Sequence, residues 1–385
     1  MASEFEHEHK QADSERESAS RQEITSRREF LSGGGLLAGR NPADASDAND
    51  LKQSYLLHLT RSAMACDFEV YFNAGQYEQA AESAMEALDL VELLEDQMTV
   101  YRHHSQLSVL NRLCASEPQL VEARLAGLLQ RSLELHQLTG GAFDITSTPL
   151  SKVWGFFKRE GILPDEQAIK DALESVGSKY LSLDTEAGML SFLKTDLELN
   201  LGSIGKGFAL DRCDSLLKDA GIEEFLIHGG RSSVIAAGSR RDGQSSREGR
   251  EGWQIAIRQP VKPEQVLCHF WIRDQAVGTS GDANQFFYHN GVRYGHVIDP
   301  RSGQPSQGVL SASIMAPSAA DADALATACF VDGPEIAAEY VKNLPDTGFI
   351  IVTDGERRSS TQLHLLNIPD EQIEVVSQIS EVVIW

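Results

Sequence analysis

Basic residues are scarce in this chain: 34 Lys and Arg stand against 57 Asp and Glu, a formal net charge of -23. A surface of that sign repels phosphate backbones and anionic lipid headgroups, which excludes nucleic-acid binding and polybasic membrane attachment. A phosphate-bearing ligand would need a cation beside it. Cysteine is sparse as well. Cys66, Cys114, Cys213, Cys268 and Cys329 are scattered, odd in number and contain no C-x-x-C pair, so neither a disulfide framework nor a zinc site is encoded. No apolar run is long enough to cross a bilayer as a helix.

What is present is material for a large core, since 41% of the 385 residues are hydrophobic. Residues 1–50 stand apart. They are rich in Glu, Ser, Arg, Asp and Ala with few large apolar side chains, the composition of a disordered tail. Within them Ser26-Arg27-Arg28-Glu29-Phe30-Leu31 resembles a twin-arginine export signal, which would place the protein in the periplasm or cell envelope. The apolar stretch behind it is short and interrupted by glycines, and no small-residue cleavage site is evident.

Residues 51–385 carry globular patterning. Phe68-Glu-Val-Tyr-Phe72 alternates as a strand, and Ala80, Ala84, Leu88, Val91 and Leu94 then recur at helical spacing. Leu125, Leu128, Leu129, Leu133 and Leu135 mark a second amphipathic helix that Gly140 and Gly141 would stop. Short strands are expected at Tyr180–Leu183, Phe225–His228, Trp253–Ile257, His269–Ile272 and Phe349–Val352, with a polar loop over Ser239–Gly252. Strands and helices mixed without a repeat give an α+β class.

Four segments concentrate Gly, Asp, Thr, Ser and His. In Thr139-Gly-Gly-Ala-Phe-Asp-Ile-Thr146 the glycines allow close backbone approach and Asp144 can accept hydrogen bonds from a ligand; taken alone, the segment reads more readily as a helix stop with an N-capping aspartate. In Leu199-Asn-Leu-Gly-Ser-Ile-Gly-Lys-Gly-Phe-Ala-Leu-Asp211 glycines precede Lys206 at a helix start, which suits an anionic phosphate, although the spacing is not that of a Walker loop. Gly278-Thr-Ser-Gly-Asp282 and Gly295-His-Val-Ile-Asp-Pro-Arg-Ser-Gly303 offer His296 as a general base with Asp299 to orient its ring, or simply good turn chemistry. In Ala322-Asp-Ala-Leu-Ala-Thr-Ala328 a helix would set Asp323 and Thr327 on one face, where a carboxylate and a hydroxyl suit one hard cation; two ligands alone do not make a metal site.

The order of these segments resembles the FAD:protein FMN transferase family, ApbE, from about Ser62 to about Val341. Met64-Ala-Cys, Tyr101 with Ser105-Gln-Leu-Ser-Val-Leu-Asn111, Gly141-Ala-Phe-Asp-Ile-Thr146, Leu201-Gly-Ser-Ile-Gly-Lys-Gly207, Gly229-Gly230, Thr279-Ser-Gly281, His296-Val-Ile-Asp-Pro300 and Asp323-Ala-Leu-Ala-Thr327 carry the resemblance. It implies FAD contacts from Met64, Tyr101, Ala142, Phe143, Asp144, Asn200, Lys206 and the backbone at Ile298. It implies Mg²⁺ ligation by Asp323, Thr327 and the main-chain oxygen of Ser203, with His296 as the base. The activity so implied is Mg²⁺-dependent transfer of the FMN half of FAD to a Ser or Thr hydroxyl of an acceptor flavoprotein, with release of AMP. Asn200, Ala65, Cys66 and Arg231 depart from the family pattern, which has aspartate at the positions of Asn200 and Arg231. Two other outcomes use the same residues: hydrolysis of FAD to FMN and AMP, or flavin binding without turnover.

Overall fold

The computed structural model describes residues 55–241, 250–283, 285–355, 360–376 and 380–385. The tail, its twin-arginine-like segment and the middle of the Ser239–Gly252 loop lie outside them. The chain opens with a hairpin, β1 (Leu56–Ala63) and β2 (Cys66–Asn73), and continues through α1 (Ala80–Met98), α2 (Gln106–Leu113), β3 (Gln119–Leu120) and α3 (Ala123–Leu138). Then come α4 (Thr148–Val153), α5 (Glu166–Glu174), β4 (Leu181–Asp184), β5 (Met189–Phe192), α6 (Gly205–Asp219), β6 (Phe225–Gly229) and β7 (Ser233–Ala237). The second half holds β8 (Trp253–Arg258), β9 (Val266–Ile272), β10 (Gln275–Gly281), β11 (Phe286–His289), β12 (Val292–Gly295) and β13 (Val309–Ala316). Helix α7 (Ala319–Val341), β14 (Gly348–Asp354), β15 (Thr361–Leu366), β16 (Ile373–Val375) and β17 (Ser380–Ile384) complete it.

Nine strands form one sheet in the order β1-β2-β6-β7-β10-β13-β14-β15-β17, antiparallel throughout except where β17 runs parallel to β15. Alternation decides what each face covers. Phe68, Val70 and Phe72 of β2 and Phe225 and Ile227 of β6, all at 0% exposure, point into one core with Ala84, Leu88 and Val91 of α1 and Cys213 and Leu217 of α6. Each such large side chain contributes about 1.5–3 kcal/mol by leaving water. Val234 and Ala236 of β7, Val277, Met315, Ile350 and Val352 point the other way. They pack against Trp253, Ile257, Phe270 and Ile272 of a small sheet ordered β16-β9-β8.

The central helix α7 is buried on nearly all sides, and its Ala-rich sequence explains how close it can come to its neighbours. Two glycines set that distance. A Cβ on Gly207 of α6 would stand 2.1 Å from the carbonyl oxygen of Ala319, and one on Gly278 of β10 would stand 2.4 Å from the main chain of Ala322 and Asp323. At the start of α7 the Asp211 carboxylate accepts hydrogen bonds from Ser318 Oγ (2.8 Å) and from the N–H groups of Ala319 (2.8 Å) and Ala320 (3.0 Å). One side chain of α6 thus satisfies donors that the first turn of a helix leaves free. Both gaps are closed around Asp323.

A third cluster, Leu150, Trp154, Phe156, Ile169, Val176 and Ile298, ties α4 and α5 to the segment after β12. Trp154 Nε1 donates to the carbonyl of Gly303 at 2.8 Å. The expected strands and both expected helices are present, and helices and antiparallel sheets together make the α+β class. No helix among the described residues is long and apolar enough to cross a membrane.

Candidate active site

A cleft of about 940 Å³ opens beside the N-terminal half of α7. Of the residues expected at the site, Tyr101, Ala142, Phe143, Asp144, Asn200, Ser203, Lys206, His296, Ile298, Asp323 and Thr327 all line it. They arrive from places far apart in sequence. Tyr101 follows α1, the Ala142–Asp144 loop follows α3, Asn200 and Ser203 precede α6, Lys206 sits in its first turn, and His296 leaves β12. Met64 is the exception. It occupies the β1–β2 turn with φ of 50°, packs partly buried on the core, and is not among the cleft-lining residues.

Asp323 is a buried charge, at 9% exposure. Ser233 Oγ donates to its Oδ1 and Oδ2 at 2.8 and 2.9 Å, and the Gly207 N–H donates to Oδ2 at 2.8 Å. Burial nevertheless pushes its pKa up to about 7, against the opposing pull of the nearby Lys206 ammonium. One turn on, Thr327 Oγ1 donates to the Asp323 main-chain carbonyl at 3.2 Å, so its oxygen lone pairs remain available to a ligand. Lys206 Nζ donates to Ser232 Oγ.

His296 continues the β11–β12 ladder: its N–H donates to the Gln285 carbonyl at 3.1 Å, and its Nδ1 lies 3.3 Å from the same oxygen. A donating Nδ1–H there leaves Nε2 as the basic nitrogen. Burial lowers the His296 pKa, with the Gln285 carbonyl and the Asp282 carboxylate opposing it. The expectation that Asp299 orients this ring is corrected. Asp299 Oδ1 and Oδ2 are taken by the Arg301 guanidinium at 2.9 and 3.2 Å, so the turn uses its acid to hold its own arginine.

Two other expected contacts serve the protein first. The Asp144 carboxylate accepts from Thr146 N–H (2.8 Å), Thr146 Oγ1 (2.6 Å), Ser178 N–H (3.0 Å) and Ser178 Oγ (2.7 Å), which fixes a loop that lines the cleft. Asn200 Oδ1 accepts the Gly202 N–H at 2.8 Å and shapes the turn before α6. Arg231, the other position where the family pattern has aspartate, is exposed with φ of 63° and lies outside the cleft lining. The structure adds Phe157, Arg159, Ser232, Gln285 and Phe286 to the lining. Ser232 follows a glycine pair that draws attention to it; nothing in the sequence marks the others.

A buried carboxylate and hydroxyl on one helix, a lysine at the start of a second and a histidine at the end of a hairpin, around a cleft this large, define an enzyme site for a phosphorylated ligand. The model described as the ApbE family matches residues 64–351, and the chain belongs to that family. It is 30% identical over 311 residues, 79% of this chain and 90% of the relative, to an FAD:protein FMN transferase of Vibrio cholerae. It is 32% identical over 283 residues, 71% of this chain and 77% of the relative, to one of Treponema pallidum. Among solved structures, the flavin transferase ApbE from Vibrio cholerae superposes with a TM-score of 0.68 at 27% identity, covering 79% of this chain and 95% of that one. The apo flavinyl transferase ApbE of Pseudomonas stutzeri gives 0.69 at 27% identity, covering 80% and 93%.

Proposed function

We propose that this protein transfers the FMN moiety of FAD to a Ser or Thr hydroxyl of an acceptor flavoprotein. The observation that carries the reading is the convergence of Lys206, Asp323, Thr327 and His296 on one cleft, in a chain whose relatives are FAD:protein FMN transferases. The diphosphate of FAD needs cations, and an acidic protein must supply them locally. Lys206 provides one. The donor set of Asp323, Thr327 and the Ser203 carbonyl is all oxygen, which fits Mg²⁺, and a buried carboxylate whose pKa burial pushes up to about 7 is a group that a divalent cation would hold ionised. Asp323, Thr327 and the Ser203 carbonyl would hold Mg²⁺, which would supply neutralisation of charge on the phosphoryl oxygens.

The protein's own groups then do the rest. The acceptor hydroxyl oxygen attacks the FMN-side phosphorus, the bond to the bridging oxygen breaks, and AMP carries that oxygen away. His296, neutral because burial lowers its pKa, takes the hydroxyl proton. Lys206 holds the diphosphate throughout. The test is incubation with FAD, Mg²⁺ and an acceptor flavoprotein, following AMP by chromatography and acceptor mass. AMP with an acceptor gain of one FMN is the expected result. AMP with free FMN regardless of acceptor would make the protein a hydrolase, and intact bound FAD would leave it a flavin carrier.

A further inference from the structure

The β11–β12 hairpin brings an unpaired strand edge to the rim of the cleft. Its turn residues, Asn290 and Gly291, have φ of 49° and 78°, the two-residue geometry in which the flanking pair, His289 and Val292, exchanges hydrogen bonds. An antiparallel ladder alternates from that pair onward. Phe287 with Tyr294, and Gln285 with His296, therefore also turn their backbone groups inward, and the bond from the His296 N–H to the Gln285 carbonyl obeys this register. Phe286 and Tyr288 must turn their N–H and C=O groups outward.

The two outer edges differ. On β12 the Arg293 carbonyl accepts from Gln307 Nε2 at 3.2 Å, which caps that side. β11 pairs with β12 alone, and the outward main-chain groups of Phe286 and Tyr288 have no hydrogen-bond partner among the described residues. Edge strands are usually blunted with lysine, proline or a bulge. Here the edge carries aromatics instead, Phe286 at 41% and Tyr288 at 66% exposure, with the Arg293 guanidinium 4.1 Å from the Phe286 ring centre. Phe286 also lines the cleft, so the edge runs directly into the site.

We propose that the acceptor protein docks by adding its hydroxyl-bearing segment as an extended strand to the β11 edge, hydrogen-bonded to the main chain of Phe286 and Tyr288. This rests on the transfer reading above. An added strand lies about 4.8 Å from β11, and its side chains alternate, so every second residue faces the cleft side. Sequence around the acceptor hydroxyl is then read chiefly through main-chain hydrogen bonds and alternate side chains.

The test uses synthetic acceptor peptides with a single Thr, N-methylated at one main-chain position at a time, with FMN gain read by mass. Loss of transfer that alternates with a period of two along the peptide is the expected result; equal loss at every position, or none, would overturn the proposal. In the full-length protein, Tyr288→Pro removes one outward N–H while leaving the inward pairs of the hairpin. It should raise the acceptor KM by about tenfold, the loss of one main-chain hydrogen bond, with FAD affinity unchanged. An unchanged acceptor KM would count against the edge. So would an unsubstituted protein that sediments as a dimer and a Tyr288→Pro variant that does not, because a second copy would then own it. Absence of any FMN transfer by the unsubstituted protein would overturn the transfer reading and this proposal together, whereas transfer without the alternation removes this proposal alone.

Discussion

Gly207 of α6 and Ala319 of α7 cross so closely that a single Cβ on the glycine would lie 2.1 Å from the alanine's carbonyl oxygen. The backbone N–H of that glycine is also a donor to Asp323 Oδ2. The same residue therefore sets the spacing of two helices and the position of a buried carboxylate of the site. Gly207→Ala must push α7 away, a strain of about 1–3 kcal/mol. Urea unfolding should show that loss, and FAD affinity in the presence of Mg²⁺ should fall with it. A variant with parental stability and affinity would mean that the helices separate freely and that their crossing does not place Asp323.

Much of the fold was legible where patterning is strong. The alternation at Phe68–Phe72 gave β2 because one face is fully buried, and the heptad-like spacing from Ala80 gave α1 because that helix has one wet side. Strand β10 was not legible as a strand. Its Gly278-Thr-Ser-Gly281 stretch reads as loop chemistry, and it is a strand because two neighbours, β7 and β13, pair with it while Gly278 makes room for α7. Of the site, the residues that fall in the segments dense in Gly, Asp, Thr, Ser and His announced themselves. Phe157, Arg159 and Phe286 did not, because what brings them to the cleft is the long-range cluster around Trp154, and no local spacing encodes that. Asp299 misled for a physical reason: an Asp-Pro-Arg turn satisfies its own acid, and the His296 ring takes the Gln285 carbonyl instead.

The β1–β2 turn holds a stability margin. Met64 and Ala65 both adopt positive φ, 50° and 59°, between the paired residues Ala63 and Cys66. A left-handed conformation costs a residue with a Cβ about 1–2 kcal/mol. Ala65→Gly should remove most of that and raise stability by about 1 kcal/mol, read as a higher urea midpoint with an unchanged slope. An unaltered or lower midpoint would show that the entropy glycine adds to the unfolded chain cancels the relief.

Asp323 gives a metal prediction that separates binding from folding. Its neighbours Ser233 and Gly207 already hydrogen-bond it, so Asp323→Asn keeps the shape and part of the donor pattern while removing the charge. Turnover that depends on Mg²⁺ should be lost, and titrating Mg²⁺ into the variant should restore little of it, while the thermal midpoint stays near that of the parent or rises, since the desolvation cost of a buried carboxylate is gone. Chelating the cation from the parent protein should produce the same loss of turnover. Full activity in the variant at ordinary Mg²⁺ would remove Asp323 from the cation site.

His296 fixes the pH dependence. A base works when unprotonated, and burial lowers this imidazole from its ordinary value of 6.5, so it stays neutral in weak acid. At saturating Mg²⁺, which keeps Asp323 ionised, the acidic limb of kcat/KM for transfer should therefore be centred below 6.5. His296→Ala should slow transfer by about 10²–10⁴-fold, erase that acidic limb and leave FAD affinity close to the parent's, because the ring's hydrogen bond goes to the Gln285 carbonyl and not to the site's cations. Measured profiles decide it. An acidic limb centred above 6.5, or one that survives in His296→Ala, would assign the proton to another group and leave His296 a residue that only closes the β11–β12 ladder.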